Sequence, residues 1–223
     1  VLLEKLNNKK AVIGVVGLGY VGLPLSLSYA EEGFKVLGLD IDNKKIEKIN
    51  NCESYIHHIE SLRINNCVIN NYFEATNDFS RVSELDAIIL CVPTPLTKYR
   101  EPDLSFINQT IDTIKSFLKS GQILSLESTT YPGTTEEIIL PQLESKDFNI
   151  GKDFFLIYSP EREDPGNSDY PVTKIPKVLG GITEQCKEIG KCLYEKIFKN
   201  VIPVSNTQTA EMTKLLENIH RAV

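Results

Sequence analysis

Gly17, Gly19 and Gly22 stand in the stretch VVGLGYVG as G-x-G-x-x-G, after an apolar β-branched run and at the opening of a helical one. In that setting Gly17 allows a tight turn, Gly19 lets the backbone approach a pyrophosphate, and Gly22 lets helix and strand pack closely. The helix N-terminus then offers unpaired N–H groups to the phosphates. Tyr20 and Val21, which complete the turn, join the cofactor-binding set. The next apolar run ends in Asp40, 23 residues after Gly17, close to the spacing of about 20 expected for a carboxylate that accepts hydrogen bonds from the adenosine ribose. It would repel a 2′-phosphate, and Ile41 and Asp42 bring no cation to offset this. NAD is therefore expected rather than NADP.

Three further segments follow apolar runs and should lie at the carboxyl edge of a sheet, where open α/β folds bind ligands: CVPTP (91–95), ESTTYPG (127–133) and YSPEREDPGN (158–167). Thr94, Ser128, Thr129 and Thr130 supply hydroxyls, and Pro93, Pro95 and Pro132 restrict the backbone. Each hydroxyl alone reads as a turn cap. Together they read as the walls of a cofactor and substrate cleft. Glu161, between Pro160 and Arg162, is a candidate general base or a group that orients one; the plainer reading is an exposed loop glutamate paired with Arg162. His57 and His58 carry no partner pattern and are read as surface or helix-start residues. Cys91, inside an apolar run, is read as a small buried hydrophobe. The closing stretch AEMTKLLENIHRAV puts Met212, Leu215, Leu216, Ile219 and Val223 on one side of a 3.6-residue period. Glu211, Lys214 and Asn218 share the other side. The apolar side is expected to meet the core or another subunit, and the polar side to be a solvated face or one wall of a site.

The elements that must position these groups alternate. Apolar runs at 11–16, 35–40, 86–92, 122–128, 153–159, 177–181 and 200–204 are separated by helical stretches at 21–31, 43–50, 59–71, 104–119, 134–144 and 183–196. That is the pattern of an α/β fold, a Rossmann-like doubly wound parallel sheet covered by helices. Residues 1–204 are expected to form the dinucleotide-binding domain, and 205–223 the start of a long helix. With 41% apolar and 24% charged residues, the composition is that of a globular chain, and no apolar run reaches the length of a membrane span. The N-terminal VLLEKLNNKK is too short and too charged for a signal peptide. A net charge of −6 argues against a general nucleic-acid surface. Five cysteines without a CxxC pair point to neither a disulfide framework nor a zinc site, so no metal is expected and a reducing cytoplasm fits.

GLGYVGLPLS, LCVPTP, STTYPGTT, YSPEREDPGN and AEMTKLLEN occur in one order, and the set resembles the UDP-glucose/GDP-mannose dehydrogenase family of nucleotide-sugar dehydrogenases. YIHHIES (55–61) and SPEREDPGN look most like the branch that oxidises UDP-N-acetylhexosamines, such as UDP-N-acetylglucosamine. The resemblance implies an NAD-dependent four-electron oxidation of the sugar C6 alcohol to a carboxylate, for surface polysaccharide precursors, by a homodimer joined through the central helix. By motif it carries the cofactor fingerprint onto Gly17, Gly19, Gly22 and Asp40, and sets Pro93, Thr94 and Thr130 beside the nicotinamide half. It gives Glu161 the hydrolytic step, with Thr130 helping to hold the water, and gives Lys214 and Asn218 the oxyanion at C6. None of the five cysteines stands in the glycine-flanked motif of the family nucleophile. Pro165 also departs from the acidic residue of the UDP-glucose branch. The expectation is therefore the NAD-binding part of a longer enzyme, able to bind NAD without completing the oxidation. A two-electron dehydrogenase of the β-hydroxyacid type and a non-catalytic NAD-binding module are the alternatives.

Overall fold

The computed structural model describes residues 1–99, 101–161 and 176–222, apart from the side chains of 218, 221 and 222. Eight strands form one sheet in the order β3-β2-β1-β4-β5-β6-β7-β8. The central strand β1 (Val12–Val16) pairs in parallel with β2 (Lys35–Leu39) on one side and β4 (Ala87–Leu90) on the other. The chain thus runs outward through β2 to β3 (Phe73–Thr76), then returns across β1 to β4. A crevice opens beyond the carboxyl ends of β1 and β4, where the strand order reverses. β5 (Ile123–Leu126) and β6 (Phe155–Tyr158) continue the parallel run.

The expected parallel sheet holds for every neighbouring pair except β6 with β7 (Lys177–Gly181), which is antiparallel, with Tyr158 opposite Gly180. The chain leaves β6 and enters β7 at the same edge of the sheet. Two residues past Ser159, Glu161 therefore comes level with Lys177, the first residue of β7. β8 (Val201–Pro203) follows in parallel to β7.

β4, β5 and β6 are buried along their whole length, as strands covered on both faces must be. One face packs on Leu23, Leu27 and Tyr29 of α2 (Gly22–Glu31) and on Ile189 and Leu193 of α7 (Glu184–Tyr194), with α1 (Leu2–Asn7) beside them. The opposite face packs on Ile107, Ile111 and Ile114 of α5 (Ser105–Ile114) and on Ala210 of α8 (Thr207–Ala222). Fully burying each such Leu or Ile side chain contributes about 1.5–3 kcal/mol.

Two local readings change, and one left open is decided. FEAT at β3 lacks a β-branched run and was not anticipated as a strand; Phe73 and Ala75 are buried and Glu74 is exposed, the alternation of an edge strand. Residues 134–144, expected as one helix, open as a wide π turn (Thr135–Ile139) before α6 (Leu140–Glu144). Pro141 has no N–H with which to continue an α ladder through that turn. α8 turns the reverse way from a core-facing amphipathic helix: Thr207, Ala210, Glu211 and Lys214 are buried, while Met212, Leu216 and Ile219 are exposed. The helices α3 (Asn43–Asn50) and α4 (Ser61–Ile69) complete the cover around β2 and β3.

Candidate active site

The glycine turn leaves β1 with Gly17 at φ +92°, and a Cβ there would lie 2.7 Å from the Cys91 carbonyl oxygen. A Cβ on Gly22 would sit 1.9 Å from the Gly17 carbonyl oxygen. These two positions admit no side chain. Gly19 differs: a Cβ built on it meets nothing within 4 Å, because its free side opens onto the cleft. An empty approach at the middle glycine, above the N-terminus of α2, is what a pyrophosphate needs.

Asp40, buried at the end of β2, ties the turn together. Its Oδ2 accepts from the Leu18 N–H at 2.7 Å and from Lys45 Nζ at 3.1 Å, and its Oδ1 accepts from the Asp42 N–H at 2.9 Å. Lys45 is the cation that the residues next to Asp40 do not supply. It stands in the first half of α3, whose N-cap Asp42 accepts from the Lys44 N–H. From the far side the Tyr55 hydroxyl donates to the Leu18 carbonyl at 2.5 Å. The exposed Tyr20 ring stacks on His58 at 6.3 Å, and His57 and His58 are both at the surface, as expected.

A cleft of about 970 Å³ begins at this turn. It is lined by Gly17, Gly19, Tyr20, Val21 and Asp40 at one end, by Pro93 and Thr94 midway, and by Glu127, Ser128 and Glu161 at the other. Its size falls within the roughly 300–1,000 Å³ range of small-molecule and cofactor sites. Glycine turn, Asp40 carboxylate and cleft together fit NAD. Cys91 also lines the cleft and is half-buried. The loops after β4 and β5 are stitched to each other: Thr94 Oγ1 donates to the Thr129 carbonyl and Ser128 Oγ to the Val92 carbonyl, both at 2.6 Å. These hydroxyls do form the walls, and they do so by holding backbone.

Under the far end lies a buried cluster of charge that the sequence reading did not single out. Lys177, 2% exposed, places Nζ 2.6 Å from Glu127 Oε2, 3.7 Å from Glu161 Oε2 and 3.3 Å from the Pro160 carbonyl. The Tyr194 hydroxyl donates to Glu127 Oε1 at 2.5 Å and shares a contact with Ser125 Oγ at 2.7 Å. The rings of Tyr194 and Phe198 face the ammonium at 5.0 and 5.3 Å. Burial pulls the Lys177 ammonium down, but Glu127 and then Glu161 more than offset it, so its titration lies above the ordinary lysine value. Burial pushes the Glu127 carboxyl up to about 7, against the pull of Lys177 and with the help of Glu161.

α8 closes the site from behind. Lys214 Nζ donates to the Glu161 backbone carbonyl. Three residues earlier, the Glu211 carboxylate accepts from the Gly133 N–H at 2.5 Å, the Thr135 N–H at 2.9 Å and Thr135 Oγ1 at 2.7 Å. Thr207 Oγ1 donates to Glu136 one turn further back. The helix carrying Lys214 is thereby fastened to the STTYPGTT segment. Burial pushes the Glu211 carboxyl above its ordinary value, partly countered by these donors. Thr130 is buried, and the Tyr158 phenol beside its hydroxyl donates to the Ser128 carbonyl at 3.2 Å.

The expected site residues thus fall into two sets. Gly17, Gly19, Tyr20, Val21, Asp40, Pro93, Thr94 and Glu161 line one cleft. Gly22, Thr130 and Lys214 stand behind its walls, beneath the turn, beneath the loop and against Glu161. Asn218 lies on α8, with its side chain outside the described residues, and Arg162 to Asn167 of the YSPEREDPGN segment lie outside them too. Lys45, Glu127, Lys177 and Glu211 were missed as functional groups. Glu127 opens the ESTTYPG segment, and Lys177 opens the apolar run 177–181. A lysine or glutamate at the start or end of an otherwise apolar run was the available signal, since such residues are almost never fully buried unless paired. Among the described residues no group of three or more His, Cys, Asp or Glu is arranged to hold a metal ion. No helix among them is long and apolar enough to cross a membrane.

Residues 11–198 match the model of the UDP-glucose/GDP-mannose dehydrogenase family, NAD binding domain. Protein CapL of Staphylococcus aureus is 36% identical over 95% of this chain and 49% of its own length. UDP-N-acetyl-D-glucosamine 6-dehydrogenase of Salmonella typhi is 32% identical over 94% of this chain and 49% of its own. Among solved structures, the UDP-N-acetyl-mannosamine dehydrogenase Cap5O of Staphylococcus aureus superposes with a TM-score of 0.87 at 33% identity, over 95% of this chain and 51% of that one. The chain spans about half the length of the curated relatives it matches.

Proposed function

This chain belongs to the UDP-glucose/GDP-mannose dehydrogenase family as its NAD-binding domain, and on that premise we propose that it is the cofactor-binding half of a nucleotide-sugar dehydrogenase. The reaction is the four-electron oxidation of the C6 alcohol of a UDP-N-acetylhexosamine to the uronate, for surface polysaccharide precursors, in the cytoplasm. The observation that carries this reading is a cleft with Asp40 and the glycine turn at one end and Glu161 at the other, Glu161 being held from behind by Lys214 through its backbone carbonyl.

Gly17, Gly19, Tyr20, Val21, Gly22 and Asp40 hold the adenosine and pyrophosphate of NAD, and Pro93, Thr94 and Thr130 shape the nicotinamide end. Bound NAD supplies the hydride acceptor, twice per sugar. Glu161 takes the proton of the water that releases the acid, with Thr130 near that water. Lys214, with Asn218 one turn on, donates to the oxygen that becomes negative at C6. No cysteine of this chain stands in the nucleophile motif of the family, so the chain alone binds NAD without completing the reaction. The exposed Met212, Leu216 and Ile219 of α8 are the proposed homodimer surface. The test is stoichiometry in the full-length protein: two NADH per UDP-N-acetylhexosamine consumed supports the reading, and one NADH per substrate, or none, overturns it.

A further inference from the structure

We infer that Lys177 is a positioning residue of the cleft, its buried ammonium holding Pro160 and the Glu161 carboxylate in place, with Glu127 the counter-charge that keeps the ammonium there. The inference rests on the proposed role of Glu161.

Burying an ammonium is costly unless it is paired and hydrogen-bonded, and a well-packed apolar pair of the same volume is often as stable. Stability alone therefore gives this cluster no evident purpose. Its geometry does. Lys177 reaches Glu127 Oε2 at 2.6 Å, the Pro160 carbonyl at 3.3 Å and Glu161 Oε2 at 3.7 Å, so it touches both the backbone just before Glu161 and the side chain of Glu161. Lys214 holds the Glu161 carbonyl from the other direction. Both glutamates face the same cleft, where two carboxylates without a cation between them would repel each other. The antiparallel turn from β6 into β7 is what brings Lys177 level with Glu161. Tyr194 completes the frame by donating to the second oxygen of Glu127.

Two measurements test this. The first is a ¹³C titration of the Glu127 carboxyl in this chain, assigned with Glu127→Gln. The groups facing that carboxyl are Lys177 of β7, Glu161 after β6, Tyr194 of α7, Tyr29 of α2 and Tyr158 of β6, with Cys91 beside Lys177. Glu161→Gln removes a like charge and is expected to move the midpoint to lower pH, and Lys177→Met to move it to higher pH. An unchanged midpoint in Glu161→Gln overturns the clamp. The second uses the full-length enzyme carrying Lys177→Met with Glu127→Gln, which removes both partners of the 2.6 Å ion pair together. Turnover is expected to fall about tenfold or more, with the NAD+ dissociation constant within roughly twofold. Unchanged turnover, or NAD+ affinity lost in step with turnover, overturns the inference. A wild-type enzyme that makes no NADH from a UDP-sugar would instead sink the proposed function and leave the titration standing.

Discussion

At the glycine-turn end of the cleft, the side-chain contacts that shape the site span 5 residues from Asp40 to Lys45, 22 from Leu18 to Asp40 and 37 from Leu18 to Tyr55. At the opposite end they span 50 from Glu127 to Lys177, 53 from Glu161 to Lys214 and 78 from Gly133 to Glu211. The first end is one βαβ unit, so local sequence determines it and a ligand can be read from it. The second is assembled from β5, β6, β7 and α8, which meet only when the sheet is complete. Evidence of chemistry there is a property of the fold more than of any single stretch.

The largest effect should come from the assembled end. Lys214→Ala in the full-length enzyme is expected to lower turnover by about 10²–10³, the usual cost of losing one oxyanion donor, while the melting temperature changes little. Comparable losses of both would make Lys214 a structural tie. Glu211→Ala leaves the Gly133 and Thr135 N–H groups without their carboxylate and should cost about 2–4 kcal/mol in a urea melt. A cost under about 0.5 kcal/mol, the scale of an ordinary surface substitution, would mean that α8 is not held by this contact.

Glu127 makes the assembled end sensitive to pH. Its folded carboxyl lies near 7 and its ordinary value is 4.5, so the folded state binds the proton more tightly. That contribution to stability is fully present below 4.5 and is lost as pH rises toward 7. The melting-temperature advantage of Glu127→Gln over wild type should therefore grow between pH 4.5 and 7 and level off above; a constant difference would contradict it. The smallest effect belongs to the local end. Gly19→Ala should leave stability unchanged or raised by about 0.4–1 kcal/mol, because its Cβ meets no protein atom, yet weaken NAD+ binding in calorimetry. Unaltered NAD+ affinity would place the pyrophosphate elsewhere.

The same contrast sets what was legible in the sequence. The three glycines, Asp40 and the run of strands were readable because turn, spacing and burial are local. Lys45 escaped because it lies beyond the residues adjacent to Asp40, one turn into α3. Periodicity separates the two faces of α8 without saying which one turns inward, so the sequence leaves its polar side as a solvated face or one wall of a site. Here Glu211 and Lys214 find buried partners on 127–161, and that outweighs the apolar face, which stays exposed. Lys177 read as the first residue of a strand, and only the antiparallel β6–β7 pair makes it a neighbour of Glu161.

A chain of this length is expected to carry an NAD site whose preference for NAD over NADP rests on Asp40. Calorimetric titration of the chain with NAD+ and with NADP+, in wild type and Asp40→Ala, tests it most directly. One NAD+ per chain is expected, with NADP+ bound more weakly and NAD+ affinity reduced about tenfold or more in Asp40→Ala, the value of a hydrogen bond to a charged group. No NAD+ binding by the wild-type chain, or equal affinity for both dinucleotides, would contradict it.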